Sequence, residues 1–160
     1  MSFRDDIVYL AEYWADPGIY KPVASELVSF FTDANTEQVP SEKEAQKSLD
    51  TLGSGCYVGG KVKHWCGIFA CSIARNSGMN SLRWTLLGGN ILGTEVRKVW
   101  GNSGLQPGDI AIISAHNHHF IVTDVDSGQI WTVEGNTEGQ AIRTRTRSVS
   151  EVVAYYQIQD

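Results

Sequence analysis

The chain has 160 residues, 42% of them hydrophobic, and a formal net charge of -5 from 13 Lys+Arg against 18 Asp+Glu. That length closes one hydrophobic core without staples, no apolar run approaches the ~20 residues a membrane-spanning helix needs, and the acidic balance excludes a nucleic-acid binder. Three cysteines, an odd and small set, exclude a disulfide framework and allow at most one bridge.

One domain over residues 1–160 is expected, helical over about 1–80 and sheet-forming over about 105–160. MSFRDDIVYLAEYW has two acids directly after its arginine and no cleavable apolar stretch, so it does not read as a secretory signal. Ile7, Leu10, Ala11 and Trp14 recur at helical spacing until Asp16-Pro17-Gly18 breaks the pattern, and Leu27, Phe30 and Phe31 repeat it. Ser41 with Glu44 three residues on is a capping-box signature, and Ala45, Leu49 and Leu52 make a third helix ended by Gly53. After a glycine-rich stretch, WCGIFACSIARNSG predicts a buried helix with Cys66 in its first turn. Residues 79–104 are poorly patterned. GDIAIIS, HFIVTDV, QIWTVEG, AIRTRTR and EVVAYYQI are then β-rich runs separated by turn residues. Helices first and strands afterwards indicate an α+β fold with an antiparallel sheet of about five strands.

A thiol attacks an amide carbonyl only as thiolate, and a helix N-terminus favours that charge through its free N–H groups and dipole. Cys66 has this position, with Lys61, Lys63 and His64 just upstream. The competing account is that Cys66 is simply a small buried hydrophobe. Cys71 points to another helix face and reads as core, and Cys56 receives no role.

The cluster HNHHF, residues 116–120, enters an apolar strand where an imidazole can take a proton from a thiol. His119 is preferred because it directly precedes Phe120-Ile121-Val122, whereas His116 and His118 fall nearer the turn. With Ser127 and Gly128 as a two-residue loop, the following hairpin pairs 126 with 129 and carries 119 opposite 136. Glu134 then becomes the diagonal neighbour of His119, ~7–8 Å away between backbones. A carboxylate or amide there fixes the imidazole tautomer and stabilises the imidazolium. A three-residue loop without a compensating bulge would set His119 opposite Gly135 and spoil this geometry. His116, His118, His119, Glu134 and a cysteine are all metal-ligand types, but no HExxH or CxxC is present and no metal site is expected. Arg143, Arg145 and Arg147 alternate along one strand and share a face, either attracting carboxylates of a substrate or partner or forming a solvated edge.

HWCGIFACSIARNSG, LQPGDIAII, HHFIVTDV and IWTVEGN occur in that order over about residues 64–136, slightly under half the chain. Together they resemble the CHAP family of cysteine- and histidine-dependent amidohydrolases and peptidases, relatives of the NlpC-type cell-wall peptidases within the papain-like fold. The resemblance implies a papain-like domain, a catalytic set of Cys66, His119, Glu134 and Asn136, no cofactor, and peptidoglycan peptide as substrate. Many family members have a polar residue before the cysteine. Trp65 stands there in this chain, which leaves any side-chain oxyanion donor unassigned beside the Cys66 backbone N–H. A bare catalytic unit further implies a cargo made in the cytoplasm and exported by a non-Sec route, such as a type VI-like antibacterial effector with a cognate immunity protein. Neither nucleic acid nor membrane insertion is expected. The alternatives are a cytosol-acting thiol protease or deamidase, and a non-catalytic binding module on the same scaffold.

Overall fold

Local sequence signals start and stop the helices of the computed structural model, which describes residues 2–160 except the side chain of His116. Ser2 Oγ accepts from the Asp5 N–H to open α1 (Phe3–Ala15). A short strand β1 (Ile19–Tyr20) precedes α2 (Ala24–Asp33), where the Glu26 carboxylate accepts from the Val23 N–H. The expected capping box opens α3 (Glu42–Thr51): Ser41 Oγ accepts from Glu44 N–H, and Glu44 Oε1 accepts from Ser41 N–H, each at 3.0 Å. Strands β2 (Cys56–Val58) and β3 (Lys61–Lys63) form a small hairpin that leads into α4 (Cys66–Asn76), buried over Cys66–Ala74.

The poorly patterned stretch is also structured. It forms a second small hairpin, β4 (Arg83–Thr85) with β5 (Asn90–Leu92), and then β6 (Val96–Trp100). All five predicted β-rich runs are strands: β7 (Ile110–Ile113), β8 (His118–Asp126), β9 (Gln129–Thr137), β10 (Ala141–Ser148) and β11 (Val152–Ile158). With β1 and β6 at its two edges, they make a seven-stranded antiparallel sheet in the order β1-β10-β9-β8-β7-β11-β6. The chain is therefore α+β, and its sheet is two strands wider than expected. Both edge strands are short and lack clear alternation, which hid them.

The helices cover one face of this sheet. Ile110, Ile112, Ile121, Val133 and Ile142 point into the core they share with Leu27, Phe30, Phe31, Ile68 and Phe69. Ala111, Ile113, Phe120, Val122, Ile130 and Tyr155 gather on the other face. This alternation makes the register of β8 consequential, because a slip of one residue exchanges the two faces. Arg4 ties the ends of the chain to the sheet: it donates to Asp109 Oδ1 at 2.8 Å and to the carbonyl oxygens of Pro107 and Ile158. Asp109, directly before β7, thus anchors α1. No helix among the described residues is long and apolar enough to cross a membrane.

Candidate functional site

Cys66 is the first residue of α4, and Gly135 lets that helix lie close against β9. A Cβ on Gly135 would come within 2.9 Å of the Trp65 ring and 3.0 Å of Phe69. On the other side of the helix start, a Cβ on Gly67 would lie 2.1 Å from the Trp84 ring. Two glycines therefore let α4 seat itself between β9 and the β4–β5 hairpin. Trp65 is fully buried, and its indole N–H donates to Gln140 Oε1 at 2.9 Å. That hydrogen bond answers the question raised by its place before the cysteine: Trp65 has no side-chain N–H left to offer a ligand, and its buried ring packs at the helix start.

The β8–β9 hairpin turns as expected, with Asp126 opposite Gln129, Val125 opposite Ile130 and Asp124 opposite Trp131. Thr123 then bulges, so that Val122 faces Thr132 and Ile121 faces Val133. An extra residue in one strand of a pair shifts everything beyond it by one. The shift puts His118, rather than the expected His119, on the face that carries Thr132 and Glu134.

The two neighbouring histidines consequently occupy opposite environments. His118 Nε2 meets Glu134 Oε1 at 2.8 Å, which leaves Nδ1 as the nitrogen available to the thiol. Burial disfavours a charged His118, but hydrogen bonding to Cys66 and Glu134 prevails and pushes its pKa up to about 9. His119 is only 1% exposed and points into the helix-covered core, between the rings of Trp84 and Tyr156. Its Nδ1–H donates to the Asn117 carbonyl at 2.8 Å, and its Nε2 has no hydrogen-bond partner. Burial pushes His119 down to about 4, with positive charge on His118 and Lys98 adding to the depression. His119 is thus a neutral core residue turned away from Cys66.

Glu134 is fully buried, and each of its oxygens accepts two hydrogen bonds. Oε1 receives His118 Nε2 and Arg147 Nη2, and Oε2 receives Thr132 Oγ1 and Arg147 Nε, all at 2.6–2.8 Å. Burial alone would favour the neutral acid, yet the Arg147, His118 and Thr132 bonds hold the carboxylate down to about 2. Arg147 and Thr132 were not singled out as supports of Glu134. The available signal was the pairing of two alternating polar strands, Thr132 and Glu134 beside Arg145 and Arg147.

Asn136 adopts a left-handed backbone, φ 57°, a conformation asparagine tolerates better than most residues. Its Oδ1 accepts from the Gly55 N–H at 2.6 Å, and its Nδ2 faces His64 Nδ1 at 3.4 Å. It holds the 53–55 loop and His64 and makes no hydrogen bond to an imidazole of β8. Cys66, His118, Glu134, Asn136, Arg145 and Arg147 all line one cleft of about 650 Å³. Cys66 and His64 also border a second depression of about 240 Å³ floored by Trp84 and Leu86. The thiol therefore stands between two hollows.

All three cysteines are free. Burial pushes Cys56 up to about 11 and Cys71 up to about 12, and neither lines a described cleft. Among the described residues no His/Cys/Asp/Glu group is arranged to hold a metal ion, and the His116 side chain lies outside them. Compared with protein-family models, curated proteins and solved structures, the chain matches none.

Proposed function

We propose that the chain is a papain-like cysteine amidohydrolase or endopeptidase of the CHAP/NlpC type, cutting peptide amide bonds of peptidoglycan through an acyl-enzyme. The observation that carries the hydrolase reading is the relay from Cys66 through His118 to a Glu134 kept anionic by four hydrogen bonds. The peptidoglycan assignment rests on the resemblance of the four motifs.

In this reading His118 Nδ1 takes the Cys66 proton, and Glu134 stabilises the imidazolium without accepting the proton itself. The thiolate attacks the amide carbonyl, and the oxyanion that forms is met by backbone N–H groups at the start of α4. Those groups are available because the first hydrogen bond of the helix is Phe69 N–H to the Trp65 carbonyl, which leaves Cys66, Gly67 and Ile68 without intrahelical acceptors. His118 then protonates the leaving amine, and water activated by the same imidazole resolves the thioester. Intact His119 cannot substitute, since it lies on the opposite face of β8.

Mass spectrometry of purified peptidoglycan fragments incubated with wild type and with Cys66→Ala tests the proposal. New fragments from the wild type alone support it, and their masses name the bond. Unchanged fragments alongside rapid alkylation of Cys66 by iodoacetamide would move the substrate to protein amides.

A further inference from the structure

Arg143, Arg145 and Arg147 point to the same side of β10 but are differently engaged. Arg143 Nε donates to Thr137 Oγ1, and its Nη2 donates to the Glu138 carbonyl. Arg147 forms the two-pronged pair with Glu134 and also reaches Glu151. Arg145 donates its side-chain hydrogen bond to Glu138, at 3.0 Å, a carboxylate that is 80% exposed. Its Nε is buried with no hydrogen-bond partner, although Glu134 Oε1 lies 3.7 Å away.

Glu134 cannot satisfy that nitrogen. A carboxylate offers about four lone-pair positions, and His118, Thr132 and both prongs of Arg147 already fill them. Charge balance points the same way. Glu134 is matched by the two-pronged Arg147, and Arg145 is a further cation lining the cleft. The carboxylate it hydrogen-bonds sits on the exposed Glu138 side chain at the cleft wall. An exposed pair of this kind is worth little and yields readily to a ligand that brings its own carboxylate.

Resting on the cysteine-hydrolase reading of this cleft, we propose that Arg145 is a specificity subsite for a free carboxylate on the substrate peptide next to the scissile amide. Glu138 takes that place when the cleft is empty. An acidic residue of the substrate would displace Glu138 and give Arg145 Nε and Nη2 the planar two-oxygen acceptor that the guanidinium fork matches.

The first arm of the test needs no turnover. Acetyl-Ala-Glu-amide and acetyl-Ala-Gln-amide differ only in a carboxylate, and each is assayed for slowing alkylation of Cys66 by iodoacetamide, followed by intact mass. In the wild type the Glu peptide is expected to protect at about one tenth the concentration the Gln peptide needs. Arg145→Gln should erase the difference, and Arg145→Lys should keep part of it. Glu138→Gln, which removes the competitor, should strengthen protection by the Glu peptide about threefold. Equal protection by the two peptides in the wild type, or an unchanged preference in a folded Arg145→Gln, overturns the proposal, as does weaker Glu-peptide protection in Glu138→Gln. The second arm compares cleavage of muropeptides whose carboxylate beside the cut bond is free or amidated. Uncut muropeptides with Glu-selective protection intact would support the subsite while removing the wall substrate.

Discussion

His118 and His119 are adjacent in sequence, yet one faces a carboxylate and the other two aromatic rings, so their substitutions should separate cleanly. On the proposed mechanism, His118→Ala removes the proton carrier and should lower turnover about 10²–10⁴-fold. His119→Phe leaves Cys66, His118 and Glu134 in place and should act mainly on stability. Measured kcat for the two variants decides between them, and a larger loss in His119→Phe than in His118→Ala would return the base to His119. The pH profile gives a second reading. With the His118 pKa raised from 6.5 to about 9, the imidazolium persists through neutral pH, and activity should fall as pH rises through about 9. The same sign applies to folding: the stabilisation His118 gains from Cys66 and Glu134 is complete below about pH 6.5 and is lost through about pH 9.

At the scale of elements, the site depends on how closely α4 approaches its neighbours. Gly135→Ala would push a methyl into Trp65 and Phe69, an overpacking of about 1–3 kcal/mol. The same displacement moves Cys66 relative to His118, and small misplacements of reacting groups cost about 10²-fold. Gly135→Ala should therefore lose far more kcat than its urea midpoint suggests, and equal proportional losses would argue that the α4–β9 approach does not set the geometry. Much of this was legible in the chain. Cys66 at a helix start, the five main strands, the two-residue Ser127–Gly128 turn and the Glu134 face followed from apolar period and turn chemistry. The choice of histidine did not, because it hung on the bulge at Thr123. A threonine followed by Asp124 is ordinary strand-end sequence, and only packing on both sheet faces determines where the extra residue goes. The role of Asn136 was hidden for a related reason, since the left-handed backbone that turns its amide toward Gly55 is not written in the period-two pattern.

At the scale of the whole molecule, the chain folds around an imidazole that prefers to be uncharged. His119 lies beneath the β4–β5 hairpin, faces Trp84 and Tyr156, feels positive charge from His118 and Lys98, and has an orphan Nε2. Its pKa is depressed from 6.5 to about 4 by burial first of all. A histidine depressed on folding binds its proton more tightly in the unfolded chain, so stability is unaffected above about pH 6.5 and declines as pH falls from there toward 4. At pH 5 that decline amounts to about 2 kcal/mol by linkage. His119→Phe removes it. The variant forfeits the hydrogen bond to the Asn117 carbonyl at every pH, so the informative quantity is the change between pH 7.5 and 5 within each protein. Urea midpoints should drop less over that interval in His119→Phe than in wild type, whereas parallel drops would mean that acid acts elsewhere. Because Trp84 both covers His119 and floors the hollow beside Cys66, acid that charges His119 should loosen this hairpin first. Protection of the β4–β5 amides, taken relative to the intrinsic exchange rate at each pH, should then fall at pH 5 in wild type and stay near its neutral-pH level in His119→Phe.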